Sequence, residues 1–235
     1  MNPEPNGRLK GTVSQSAKTW PGGRVYYTFN SNVTPEFKAE IEAAINEWRN
    51  QSQLNFSNTT SRGDYIEFIL GEDGSYSNVG CIGGRQYIHL DKRWADRGTA
   101  MHEIGHAVGL IHEHQSYIFH DRQNQLVFKW DNINNDYKDQ FAKYSKAHDT
   151  YSAGVDDPNY PLNSLMIYGS FADEPVSKNP SQPVITFLLG GMFGGGMEIT
   201  YRAQRSYLSI SDRLAVARKY GYSYNPATDP NKPPI

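Results

Sequence analysis

The chain has 235 residues, of which 37% are hydrophobic and 20% charged, and its formal net charge at pH 7 is -2. This length is enough for one well-buried core, and a near-neutral charge without a basic run excludes a surface built to attract nucleic acid or anionic lipid. No apolar run approaches the roughly 20 residues that span a bilayer, and the first residues lack the apolar segment of a signal peptide. We therefore expect no nucleic-acid partner and no membrane association.

Strand and helix signals alternate in the first half of the chain. The stretch WPGGRVYYTFN, which begins at Trp20, predicts a turn followed by a strand. Thr34 and Pro35 predict the N-cap and first residue of a helix, and apolar residues then recur at helical spacing at positions 37, 41, 44, 45 and 48. LNFS, YIEFIL and RQYIHLD predict three more strands, and GEDGSYSNVGCIGG predicts a loop before the last of them. The pattern favours a sheet covered by a helix.

The second half of the chain is less regular. AMHEIGHAVGL predicts a largely apolar, buried helix capped by Thr99, and NNDYKDQFAKY predicts a further helix. Residues 149–197 are punctuated by Pro and Gly, and Ser209 with Asp212 predicts a capping box for a final helix that Gly221 ends. Without repeats or a composition shift, we expect one domain over residues 12–224, with polar tails at residues 1–11 and 225–235.

The stretch HEIGHAVGLIHEHQ carries the strongest chemical signal. His102 and His106 are four residues apart, so on a helix their imidazoles project from one face and can share one ion. Glu103 stands beside the first of them, where it can take a proton from a water molecule that the metal activates. Gly109 can adopt positive φ and end the helix, which lets His112 approach as the third ligand. Three neutral imidazoles predict one Zn²⁺ per chain.

A helix with satisfied core histidines is the competing interpretation of this stretch. The pattern HExxHxxGxxH is expected by chance in fewer than about one in ten thousand chains of this size, which favours the metal site. We expect His114 to be a surface residue or an outer neighbour of the site, and His89, His120 and His148 have no partner at ligand spacing. For the single cysteine, Cys81, a structural thiol is favoured over coordination of zinc in a latent enzyme.

HExxHxxGxxH resembles the motif of the metzincin metallopeptidases, and Glu113 directly after it is similar to the astacin family in particular. Other stretches resemble segments of the astacin catalytic domain in the same order, and together they cover most of residues 20–224: WPGGRVYYTF, GDYIEFILGEDGSYSNVG, GGRQYIHLD, GTAMHEIGHAVG, WDNI, SLMIYGSF and LSISDRLAVARKYGY. The resemblance implies an α+β, two-lobed zinc peptidase domain. The upper lobe would hold a twisted mixed sheet and two long helices, and the lower lobe would be largely irregular with a C-terminal helix.

The resemblance also implies roles for residues that spacing alone does not single out. Residues 164–168, SLMIY, resemble the Met-turn, in which Met166 would form an apolar floor under the three imidazoles. Tyr168 would be an additional metal ligand that swings away when substrate binds and then stabilises the oxyanion. Glu113 would pair with the mature N-terminal amine.

Residues 86–90 resemble the strand at the edge of the family's substrate cleft. This comparison implies that Gln86, Tyr87, Ile88, His89 and Leu90 bind an extended peptide by adding it to the sheet as a further strand.

Several features depart from the family pattern. Nineteen residues precede Trp20, more than the family's usual ten or so, so either this extension is trimmed or the N-terminus is anchored differently. No FxGD segment precedes Trp20, which favours a mature form. The two disulfides common in the family cannot form with one cysteine. In HEHQSYIFHDR, Asp121 and Arg122 stand about three residues further along the chain than the corresponding Asp-Arg pair of the family pattern. The Gly-rich stretch at residues 190–196 is expected to be a flexible connection.

These observations predict a monomeric zinc endopeptidase that acts on protein or peptide substrates, with Glu103 as general base and then acid. The resemblance implies that it is secreted. The alternative is a catalytically weak zinc-containing protein that binds peptides without cutting them, and it is disfavoured because the base is intact. A third possibility, an intracellular structural protein with a fortuitous motif, predicts no stoichiometric zinc.

Overall fold

The computed structural model describes residues 17–61, 63–115, 126–143, 162–189, 196–225 and 228. The predicted tail at residues 1–11, Asp121 and Arg122, and His120 and His148 lie outside the described residues. So do residues 190–195 of the Gly-rich stretch and most of the predicted tail at residues 225–235.

Five strands form the first sheet: β1 (Arg24–Phe29), β2 (Asn55–Asn58), β3 (Tyr65–Gly71), β4 (Tyr76–Ser77) and β5 (Arg85–Asp91). Their spatial order is β2-β1-β3-β5-β4, and only β4 runs antiparallel to its neighbour. Along β3 every second residue is buried, because successive side chains in a strand point to opposite faces. The four longer strands confirm those predicted from the sequence.

One edge of this sheet differs from the prediction. β4 lies in the stretch predicted to be a loop and pairs with Ile88 and His89, so β5 is an inner strand and residues 86–90 do not form the edge. On β5, Gln86, Ile88 and Leu90 are buried, whereas Tyr87 and His89 are partly exposed. The prediction that β5 forms the edge was wrong because a strand of two residues has too little periodicity to be recognised. Only the pairing of strands reveals which one is outermost.

Two helices pack against each other in the first hydrophobic core. Helix α1 (Pro35–Gln51) begins at the predicted proline and buries Ile41, Ala44, Ile45 and Trp48, as its spacing predicts. Helix α2 (Arg97–Ala107) lies against it, and the Trp48 indole donates a hydrogen bond to the Met101 carbonyl oxygen at 3.0 Å.

The cap of α2 is not the predicted one. Asp96 is the N-cap, and its carboxylate accepts a hydrogen bond at 2.7 Å from the backbone N–H of Thr99. Asp and Thr are both good N-caps, so the sequence alone left the choice open.

A second, smaller hydrophobic core surrounds an antiparallel sheet of β6 (Leu126–Phe128), β7 (Ile185–Leu189) and β8 (Met197–Ile199). Its fully buried members include Ile133 and Phe141. The helix predicted from NNDYKDQFAKY is a 3-10 helix over Asn135–Gln140. None of those six residues is buried, so no apolar stripe stabilises an α-helix there.

The chain returns to the first core through helix α3 (Ile210–Tyr220), whose Val216 packs there. Ser209 and Asp212 form the predicted capping box, and Gly221 ends the helix with φ 71°. We call the first core with its sheet and helices the upper lobe, and the second core with β6, β7 and β8 the lower lobe. No helix among the described residues is long and apolar enough to cross a membrane.

Candidate functional site

Three buried histidines converge where α2 ends. The Nε2 atom of His112 lies 3.3 Å from that of His102 and 3.1 Å from that of His106. All three rings are at most 6% exposed. Among the described residues they form a group of His, Cys, Asp or Glu side chains close enough to hold one metal ion.

The outer nitrogens of two of these rings are held by backbone carbonyls. His102 Nδ1 lies 3.0 Å from the Leu165 oxygen, and His106 Nδ1 lies 3.0 Å from the Leu110 oxygen. A carbonyl oxygen can only accept, so both Nδ1 atoms carry the proton and both Nε2 lone pairs point inward. Inward lone pairs this close repel unless a cation lies between them, and tetrahedral zinc at about 2.0–2.1 Å from each nitrogen spaces its ligands by roughly 3.3 Å. The donor set and spacing fit zinc.

Gly109 makes the turn that brings in His112. Its φ is +105°, in the region predicted for it, and its N–H donates to the His106 carbonyl at 2.8 Å. The chain therefore leaves the helix axis within two residues of Ala107. A side chain at Gly109 would meet the end of the Lys219 side chain, with Cε 2.2 Å from the added Cβ.

Replacing Gly109 by alanine is expected to lower the free energy of unfolding by about 1–3 kcal/mol, because L-residues rarely adopt this φ. Gly71→Ala is the matched control, since Gly71 lacks a positive φ and has no atom within 4 Å of an added Cβ. Urea unfolding of both variants tests the prediction. Equal stability of the two variants would contradict this role of Gly109.

The predicted Met-turn lies directly beneath α2. A Cβ added to Gly105 would lie 2.7 Å from the Met166 sulfur, so the absence of a side chain at Gly105 allows this close packing. The Glu113 N–H donates to the Met166 carbonyl at 3.0 Å, and the Ser164 hydroxyl donates to the Glu113 carboxylate at 3.4 Å. The predicted partner of Glu113, the mature N-terminus, lies outside the described residues.

Two residues that sequence reasoning missed anchor the Met-turn. Asp212 is fully buried and accepts hydrogen bonds from the Ser164 hydroxyl at 2.8 Å and the Leu165 N–H at 2.9 Å. The Arg205 guanidinium donates to the carbonyl oxygens of Leu165 at 2.7 Å and Ile167 at 3.0 Å. Asp212 was recognised only as a helix cap, and nothing in the sequence marks Arg205.

Burial also affects the ionisation of these anchors. Desolvation raises the pKa of Asp212, against hydrogen bonds from Leu165, Ser164 and Ser209 that favour its ionised form. Desolvation lowers the pKa of Arg205, and the charges of Tyr168 and Glu103 oppose this shift.

The two predicted catalytic side chains lie beside the histidines. Glu103 is 4% exposed, next to His102 on α2. The Tyr168 ring packs against the His112 ring, with centroids 4.2 Å apart, and its hydroxyl donates to Gln140 Oε1 at 3.3 Å.

His114 is not at the surface. It is fully buried, and its ring stacks on His112 at a centroid distance of 5.3 Å. The expectation of an outer neighbour of the site holds, and that of a surface position is wrong. The cause is the lower-lobe core, where Phe141 lies 5.6 Å from the His114 ring.

A cavity of about 1000 Å³ opens beside Tyr168, between the two lobes. The upper lobe contributes Arg93 and Trp94 from the segment between β5 and α2, and the lower lobe contributes Gln140 and Phe171. Trp94 and Phe171 are 61% and 50% exposed. The cavity reaches the histidine cluster only through Tyr168, whose ring packs against His112.

Zinc metalloproteinases are among the curated proteins that this chain resembles. A zinc metalloproteinase nas-8 of Steinernema carpocapsae is 32% identical over 180 residues, 77% of this chain and 41% of that protein. Zinc metalloproteinase nas-8 of Caenorhabditis elegans is 32% identical over 179 residues, 76% of this chain and 41% of that protein. The chain thus spans about two fifths of the length of these relatives.

Solved structures agree on the fold. High choriolytic enzyme 1, a hatching enzyme zinc-protease of the medaka fish Oryzias latipes, superposes with a TM-score of 0.70 at 23% identity, over 88% of this chain and 94% of that one. Myroilysin superposes with a TM-score of 0.55 at 22% identity, over 91% of this chain and all of that one.

The family model described as Astacin, a peptidase family, matches residues 12–187. This match covers most of the chain and includes the histidine cluster and the Met-turn. Together with the relatives, it shows that the chain belongs to the astacin family of zinc metallopeptidases, as the motif and its flanking stretches predicted.

Proposed function

We propose that the protein is a zinc-dependent endopeptidase in which His102, His106 and His112 hold one zinc ion. The observation that carries the proposal is the convergence of three buried Nε2 atoms, two of them fixed by carbonyl acceptors on the opposite nitrogen. Zinc, when bound, would polarise the scissile carbonyl group and lower the pKa of a water molecule. The catalytic domain is proposed to span residues 12–224.

Glu103 supplies the acid–base chemistry in this proposal. Its carboxylate accepts a proton as water attacks the carbonyl carbon, and it gives that proton to the amine nitrogen as the peptide C–N bond breaks. Its side chain is only 4% exposed, so little bulk water reaches the carboxylate.

Tyr168 is proposed to assist from the lower lobe. Its phenol oxygen would add to the three imidazoles that hold the zinc ion, and with substrate present its hydroxyl would donate a hydrogen bond to the oxygen on which negative charge develops. Its ring contact with His112 places it at the side of the cluster that borders the cavity. The proposed substrates are extended segments of proteins or peptides. We propose that the protein is secreted, because members of the family often are, and that it acts as a monomer, as expected from the sequence.

The simplest test follows cleavage of denatured casein by the purified protein. We expect cleavage that 1,10-phenanthroline abolishes and that added Zn²⁺ restores after the chelator is removed. Elemental analysis should give about one zinc per chain, as expected for a single three-histidine site.

The same experiment separates the two predicted classes. A peptide-binding protein without catalytic power would contain stoichiometric zinc and leave casein intact, which would refute the proposal. If casein is cleaved, digestion of a peptide library followed by mass spectrometry of the products would define the preferred sequence around the cleaved bond.

A further inference from the structure

Gln140 makes two hydrogen bonds to the aromatic groups beside the histidine cluster. Its side-chain Oε1 accepts from the Tyr168 hydroxyl at 3.3 Å, and its backbone oxygen lies 2.8 Å from His114 Nε2. The rings of His114 and Tyr168 lie 4.4 Å apart, and each also packs against His112. One residue of the lower lobe thus contacts both rings that flank a proposed zinc ligand.

The position of Gln140 is itself fixed. It is the last residue of the 3-10 helix Asn135–Gln140. The fully buried Gln115 donates from its side-chain amide to the carbonyl oxygens of Asp139 at 3.0 Å and Ala142 at 3.1 Å. The next residue, Phe141, is fully buried in the lower-lobe core. Gln140 therefore presents its amide oxygen at the cavity from a rigid support.

A neutral hydrogen-bond acceptor suits the Tyr168 hydroxyl, because this hydroxyl must later donate to a negatively charged oxygen instead. A hydrogen bond to an ionised oxygen is about twice as strong as one to a neutral amide. The amide oxygen of Gln140 can therefore hold the Tyr168 hydroxyl in a defined direction, yet lose it to an oxygen on which negative charge develops. Orientation before the reaction matters because a displacement of about 1 Å can cost roughly 100-fold in rate.

We propose that Gln140 is a positioning residue for Tyr168: it orients the phenol hydroxyl beside the cleft so that the hydroxyl reaches the oxyanion of the substrate. This inference rests on the proposed peptidase function and on the role given there to Tyr168. Gln140 acts through Tyr168 and makes no contact with the reacting atoms in this proposal.

The test is a double-mutant cycle between Gln140→Met and Tyr168→Phe in the full, zinc-loaded chain. Methionine keeps the length of glutamine without an amide oxygen, and phenylalanine removes only the hydroxyl. With a fluorogenic peptide taken from the library digestion, we expect Gln140→Met to lower kcat about 3- to 10-fold, because the hydroxyl then starts from a wider range of orientations, with KM nearly unchanged. In the Tyr168→Phe background, Gln140→Met should lower kcat less than about 2-fold further.

A second measurement does not depend on activity. Loss of the hydrogen bond should lower Tm by about 2–4 °C in the parent chain, and by much less in the Tyr168→Phe background. Zinc content should match the parent in all variants. Gln182→Met is the matched control, because Gln182 is an exposed residue of the same lobe that lines a different groove.

Equal effects of Gln140→Met in the two backgrounds, on kcat and on Tm, would overturn the inference. If Gln140→Met has the same kcat as the parent, the inference is also overturned, but the proposed peptidase function stands. If the zinc-loaded parent cleaves nothing, the proposed function fails, and the catalytic role of Gln140 fails with it. The Tm measurements still show in that case whether Gln140 and Tyr168 are hydrogen-bonded.

Discussion

Replacing Glu103 by glutamine is expected to lower kcat/KM by about 10²- to 10⁴-fold, the usual contribution of a general acid–base group, while zinc content stays at the parent value. The change preserves the shape of a side chain that is only 4% exposed, so the fold and the histidine cluster should be unaffected. The amide cannot accept the proton of the attacking water. Casein cleavage and elemental analysis on the same preparation measure both quantities.

Glu42→Gln is the matched control for this substitution. Glu42 is an exposed residue of α1 whose carboxylate lies 3.9 Å from the Lys38 amine, a surface pair that contributes little to stability. We expect parent activity from that variant. Cleavage at the parent rate by Glu103→Gln would show that another group moves the proton.

The second large effect is expected at the proposed zinc ligands. His106→Ala removes a fully buried nitrogen donor, and zinc affinity should fall by more than the roughly 10- to 100-fold that loss of an outer partner costs. The variant should lose its zinc on dialysis, show no casein cleavage, and show no rise in Tm when zinc is added. Elemental analysis after dialysis and thermal unfolding with and without zinc check these results.

His114→Phe provides the comparison within the same histidine-rich stretch. His114 is as buried as His106, but its Nε2 faces the Gln140 carbonyl, so it is not a proposed ligand. Phenylalanine keeps a ring in the stack against His112, and the variant should keep the zinc content of the parent. Zinc lost from His114→Phe and retained by His106→Ala would reverse the assignment.

Local patterns predicted the parts of the molecule that depend on near neighbours in the chain. The spacing of apolar residues gave α1, because one turn of helix repeats every 3.6 residues whatever surrounds it. The capping box at Ser209 and the turn at Gly109 were also predictable, because each depends on the backbone preference of one or two residues. The family followed from the histidine motif together with Glu113 and the flanking stretches that match it in order.

Tertiary structure alone decided the features that join distant segments. β4 is the outermost strand only because two residues pair with β5, and no local pattern marks so short a strand. Asp212 reads as a helix cap in the sequence, but it also anchors the Met-turn, since its carboxylate has two oxygens and the fold brings Ser164 and Leu165 to them. The burial of His114 depends on Phe141 of the lower lobe.

The sequence by itself therefore determined the three α-helices, the family and the candidate metal ligands, because these depend on residue type and short spacing. The structure decided which residues support the site. Gln140, Arg205 and Asp212 hydrogen-bond to residues of the candidate site that lie 28 to 48 positions away in the chain. Such bonds form only when folding brings segments that are distant in the chain within reach of each other, and that is a property of the whole chain.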